Sequence, residues 1–131
     1  MKPIASLLAA AAVVACSDAF KPTADNVSGI YQLQTFRTDS AGTTKDWVAG
    51  GASLSLILSP GGHVGGELTM PADTVVFYAL LDGTWTLTGT TVHFSQSADT
   101  FVRDMDWIAS ENRLSGDKTF GAVRVRVVLT K

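Results

Sequence analysis

The chain has 131 residues, 46% of them hydrophobic, with 10 Lys and Arg against 12 Asp and Glu, a formal net charge of −2. That length supports one domain with one core, and charges scattered without a basic stripe or an acidic block argue against nucleic acid as a partner. A single cysteine excludes an internal disulfide, so the fold must be held by packing.

Much of the apolar content at the N-terminus does not read as core. Residues 4–14 form a run of Ala, Leu, Val and Ile, broken only by Ser6, behind Met1-Lys2. The run is about half of the roughly 20 residues a spanning helix needs, and it ends at the small residue Ala15, which is the layout of a cleaved signal peptide over residues 1–15. The four residues Val13-Val14-Ala15-Cys16 resemble the lipobox of bacterial lipoproteins. That resemblance implies that Cys16 becomes the lipidated first residue of the mature chain, which makes a membrane its first partner. In enterobacterial sorting an Asp directly after the cysteine retains such proteins in the inner membrane; Ser17 stands there, so the outer membrane, with the domain facing the periplasm, is the expected location. Residues 16–27 are polar, contain Pro22 and have no period, and read as a tether that could reach roughly 35 Å when extended.

From residue 28 onward the pattern has period two, the signature of half-buried strands. Tyr31 and Leu33 alternate with Gln32 and Gln34 in a first strand over residues 28–36. Residues 37–51 lack periodicity and are long for a connection, which suggests a lid or binding loop around Trp47. Trp47 reads either as a stacking wall over a cavity mouth or as a plug on the rim. Residues 52–58 point Leu54, Leu56 and Leu58 inward. The turn Ser59-Pro60-Gly61-Gly62 leads to a strand over residues 63–68, in which Gly65 and Gly66 suggest a bend. Residues 69–73 read as a connection containing Pro71.

Residues 75–80 are apolar on both faces, so that strand is either covered twice or leaves a sticky outer surface. Asp82-Gly83 turns into the clearest element of the chain, the hairpin over residues 83–94, with Trp85, Leu87, Val92 and Phe94 on one face, threonines on the other and Gly89 at the turn. Residues 100–109 read as a strand with Phe101, Arg103, Met105 and Trp107 inward and Asp104 and Asp106 outward. A short strand over residues 113–115 and a turn over residues 116–121 precede a closing strand over residues 122–131, with Val123, Val125, Val127 and Leu129 inward and Arg124 and Arg126 outward. The sum is an all-β domain over residues 28–131, a small antiparallel up-and-down barrel of about eight strands whose last strand pairs with its first.

Gly29-Ile30-Tyr31 at the start, Gly83-Thr84-Trp85-Thr86-Leu87-Thr88-Gly89 in the middle, and the overall length resemble the lipocalin-like group of small bacterial envelope lipoproteins. The family's opening Gly-x-Trp has Tyr31 in place of the tryptophan, and its terminal arginine corresponds to Arg124 or Arg126. The resemblance implies a barrel that holds a small apolar or amphiphilic ligand.

Chemistry is sparse. Metalloprotease, phosphate-loop, nucleophile-elbow and dinucleotide motifs do not occur, and His63 and His93 stand thirty residues apart on solvent-facing positions, so no metal, no cofactor and no catalytic residue is expected. The candidate ligand-lining set is Trp47, Phe77, Trp85, Phe101, Arg103 and Trp107. Arg103 reads either as an interior counterion for an acidic head group or as a rim residue reaching solvent. Ligand carriage in the envelope is the first functional expectation. The alternative is a non-catalytic interaction or assembly module whose barrel is filled by its own side chains, with a protein partner unknown. A hydrolase or isomerase in the barrel has no constellation behind it.

Overall fold

The computed structural model describes residues 19–131; the expected leader, Cys16 and Ser17 lie outside them. Ten strands follow one helical turn: α1 (Ala24–Val27), β1 (Gly29–Ser40), β2 (Thr43–Asp46), β3 (Ser53–Leu58), β4 (His63–Ala72), β5 (Val75–Leu80), β6 (Gly83–Thr88) and β7 (Thr91–Gln96), then a second helical turn α2 (Phe101–Asp104), and β8 (Trp107–Ser110), β9 (Arg113–Phe120) and β10 (Val123–Thr130). Eight of the strands close an antiparallel up-and-down barrel in the order β1-β3-β4-β6-β7-β8-β9-β10, with β10 pairing back to β1 from Gln32↔Thr130 to Ser40↔Val123. The expected barrel and its closure by the last strand are therefore what the chain forms.

The two further strands are extensions of barrel hairpins. Along β4, His63 and Val64 pair with β6 while residues Glu67 to Ala72 pair with β5, all in one register. A single long ribbon thus begins inside the barrel wall and leaves it. The departure is at Leu81, which is buried inward and whose N–H donates to the Gly66 carbonyl. Beyond it β7 ends at Gln96, opposite Gly83, so no strand flanks β5 on that side. The β1–β2 hairpin projects from the same end of the barrel, the crown. The opposite end, the base, carries α1 and the turns after β3, β6 and β8.

Several strands run longer than sequence periodicity implied. Residues 37–46 are a β-hairpin instead of a lid loop, because β1 continues to Ser40 and Ala41 and Gly42 turn with positive φ. Residues 69–72 continue β4. Pro71 is tolerated there because β3 pairs only as far as Thr69, leaving that stretch of β4 with one neighbour. Residues 116–120 continue β9, and the turn is confined to Gly121 and Ala122. Residues 101–104 are a helical turn: the Thr100 hydroxyl caps it by accepting from the Val102 N–H, and the rotated chain buries Val102 in place of Arg103. At the base, residues 24–27 are not a free tether. Thr23 and Asn26 form a reciprocal cap, Val27 is buried, and its carbonyl accepts from the Tyr31 hydroxyl at 2.6 Å. Burial pushes the Tyr31 phenol up to about 12.

The interior is packed from wall to wall. Tyr31, Phe36, Leu54, Leu56, Leu58, Val64 and Leu68 from one side meet Trp85, Val92, Phe94, Met105, Trp107, Leu114, Val127 and Leu129 from the other, all nearly inaccessible. Burying each such side chain contributes about 1.5–3 kcal/mol. Two glycines make this close approach feasible. At Gly116 a Cβ would press into Met105 Cε and lie 3.2 Å from the Trp107 ring; at Gly66, φ +148°, it would collide with the Ser55 carbonyl. Gly66→Ala is expected to lower the unfolding free energy by about 3 kcal/mol. Gly89→Ala, at a left-handed turn with open space around it, should lower it by only about 1 kcal/mol; urea unfolding followed by tryptophan fluorescence measures both.

Candidate functional site

The residues expected to line a ligand do not converge. Trp85 and Trp107 lie inside the barrel as core, with their polar edges already used: Trp85 Nε1 donates to the Ser59 carbonyl at 2.8 Å and Trp107 Nε1 to the Val102 carbonyl at 3.0 Å. Trp107 also meets Phe94 edge-on at 6.3 Å. Trp47 and Phe101 flank Phe36, the first stacked at 5.6 Å and the second tilted at 4.9 Å. Trp47 Nε1 donates to Thr38 Oγ1 at 2.9 Å, and Lys45 Nζ sits 3.7 Å over its ring. Of the two readings of Trp47, its packing is that of a plug.

Of the two readings of Arg103, its position is not that of an interior counterion: it lies outside the barrel, although strand alternation sets it inward. Its Nη2 meets Asp99 at 2.6 Å and its Nε meets Asp104 at 2.8 Å, on the solvent side of α2. Phe77 is outside as well, on β5. His63 is exposed, and His93 Nδ1 lies 2.8 Å from Asp106 Oδ1 on the outer wall. Among the described residues no group of three His, Cys, Asp or Glu side chains could hold a metal.

What the outside offers is of two kinds. The first is the β4–β5 ribbon at the crown. Val75 is 66% exposed, Val76 61%, Tyr78 54% and Leu80 56%, with Phe77 close behind. The exposure spans both faces because the even residues point one way and the odd residues the other, and neither face is covered. A sheet element apolar on both sides and wet on both sides is the feature that marks interaction surfaces on soluble domains.

The second is a groove of about 520 Å³ on the outer wall of β8, β9 and β10, lined by Asp106, Ile108, Ser115, Asp117, Arg126 and Val128. A smaller concavity of about 210 Å³ shares Arg126 and Val128 and adds Thr35 and Arg37. Alternation sets Asp106 and Arg126 outward but does not assemble the groove, since a strand ending at Ser115 stops before Asp117.

Ion pairs fix this wall. Arg124 grips Asp117 with Nε at 3.0 Å and Nη2 at 2.6 Å, and Arg126 Nη2 meets Asp39 Oδ2 at 2.8 Å. The Asp117 carboxyl is held below its ordinary value of 3.8, first by its hydrogen bond from Arg124, and Asp39 likewise, first by the Thr44 hydroxyl and then by the charges of Arg126 and Arg124. A carboxyl with a lowered native pKa stabilises the fold above its unfolded value and loses that contribution as pH falls through the native one.

Comparison with family models finds no match to this chain, and neither the curated proteins nor the solved structures compared with it give one.

The contribution of these carboxyls should be full and independent of pH near neutrality and should be lost as pH falls below about 3.8 toward their lowered native values. Asp117→Asn should flatten part of that acid limb and leave its neutral-side plateau level, as read from urea midpoints across an acid pH series.

Proposed function

We propose that this chain is a lipid-anchored, periplasm-facing protein of the bacterial envelope that serves as a non-catalytic interaction module on a filled barrel. The observation that supports the reading best is the contrast between its two apolar regions. The interior side chains are closed to solvent, while the β4–β5 ribbon leaves the barrel and exposes both faces. A carrier of the kind implied by the lipocalin-like resemblance would hold its apolar surface inside and leave room within it; here the inward side chains are packed and closed to solvent, and the two concavities described above lie on the outer wall.

The topology agrees with an anchor at the N-terminal side. Lys131 Nζ donates to the carbonyls of Asn26 and Ser28, which docks α1 at the base. A lipid on Cys16 would therefore hold the base toward the membrane and direct the ribbon away from it. The ribbon then faces the aqueous compartment, where its natural occupant is another protein surface.

Binding of a small amphiphile is a second reading, with one observation in its favour. The outer groove has an apolar floor of Ile108 and Val128 and a guanidinium, Arg126, at its side.

Native mass spectrometry of the chain from Ser17, purified gently from a periplasmic expression, separates the two readings. The expected result is a bare mass with no uptake of offered fatty acids or phospholipids. A reproducible extra mass, released on denaturation, would replace the interaction module with the carrier.

A further inference from the structure

We propose that β5 is a self-pairing edge: two copies of this chain join through an antiparallel β5–β5 ladder and turn two β4–β5 ribbons into one four-stranded sheet. The inference rests on the interaction-module reading and names its partner as a second copy.

Among the described residues two strands, β2 and β5, each pair with a single neighbour along their whole length, and their open edges differ in kind. β2 is four residues long and carries Lys45 and Asp46, the short, charged edge by which proteins discourage pairing. β5 has six residues, Val-Val-Phe-Tyr-Ala-Leu, with no charge, no proline and no break in its register against β4. Among the described residues its sole strand partner is β4. One edge is guarded and the other is open.

The backbone sets which groups the open edge presents. The N–H of Leu81 donates to Gly66 across the ribbon, and alternation then directs the N–H and C=O of Ala79, Phe77 and Val75 to β4. Those of Leu80, Tyr78 and Val76 point outward. A ladder through that edge must pair even residues with even residues. Centred on Tyr78, it sets Tyr78 against Tyr78, Val76 against Leu80 and Phe77 beside Ala79 of the second copy.

That arrangement is two-fold symmetric, sets Tyr78 against its own copy and the aliphatic Val76 and Leu80 against each other, and puts the bulky Phe77 next to the small Ala79. The same register places Asp82 opposite Thr74 and Asp73 opposite Gly83, so no carboxylate meets another. Five exposed side chains at roughly 100 Å² apiece allow at most about 1,000 Å² buried over both copies, the lower limit for a specific interface. A reversible, concentration-dependent dimer is the consequence.

The test uses the full chain in cells, with two differently tagged copies co-expressed and a photo-cross-linking benzoylphenylalanine in place of Tyr78. The expected product is an adduct of twice the chain mass that carries both tags. Adding Val76→Lys should reduce it about tenfold, since the lysine faces the apolar Leu80 of the second copy, whereas Glu111→Lys at the base should leave it unchanged. An adduct to a different protein without the doubly tagged species overturns self-pairing and leaves the interaction-module reading standing. Adducts to lipid only, or no adduct, overturn both.

Discussion

Closure of β10 onto β1 is the constraint on which the remainder of this molecule depends. Once eight short strands form a ring, the side chains that alternate inward must share a narrow space, and here they occupy it with tryptophan, phenylalanine, tyrosine and leucine. The ring has no edge except where its hairpins outgrow it. Two positions show how tight the fit is. Gly116 lies directly beneath Met105 and Trp107, and Gly66 lets β4 pass against the Ser55 carbonyl. A larger residue at Gly116 would displace Met105, and one at Gly66 would force β4 away from β3. The same tightness relocates apolar character to the outside: with the interior filled, the apolar residues of β5 can only stand in solvent.

The barrel was legible because its strands obey period two. Leu54, Leu56 and Leu58, then Trp85, Val92 and Phe94, then Val125, Val127 and Leu129 all face inward as their spacing implies. What periodicity could not show was where a strand ends. Residues 37–46 alternate polar with polar, because β2 lies outside the barrel ring and is exposed along its whole length. Residues 101–104 depart from the pattern for a different reason, while Met105 and Trp107 face inward as alternation implies. Alternation put Arg103 on the same face as Phe101 and Trp107, but Thr100 offers a hydroxyl cap, and one helical turn rotates Val102 inward and Arg103 outward to Asp99 and Asp104. A local side-chain hydrogen bond outweighed the strand pattern. The aromatic set imagined around a ligand dissolved with it, into core tryptophans, a plug on Phe36 and a surface phenylalanine.

The two extended hairpins rise from the same end of the barrel yet obey opposite rules. β2 is short, charged and paired through polar residues, whereas β5 is longer and uniformly apolar. Nothing in the barrel requires that difference. Of Val75 to Leu80 only Ala79 packs against the core; the other five stand in solvent, where contiguous apolar surface costs solubility. A feature that the fold itself does not need is most economically understood as serving an encounter with something else, and its placement at the crown keeps it clear of the base.

The ammonium of Lys131 reaches the carbonyls of Asn26 and Ser28, at 2.7 and 3.0 Å, and lies 5.6 Å from the centre of the Tyr31 ring. This clasp brings the entry and exit of the domain together at one pole. Any reporter fused after Lys131 would emerge next to the point where the chain enters the barrel, leaving the opposite pole unencumbered. Inserts meant to stand at that far pole belong instead at the Ala41-Gly42 or Gly121-Ala122 tips. There the backbone already turns with positive φ at Ala41, Gly42 and Gly121, and both glycines face open space.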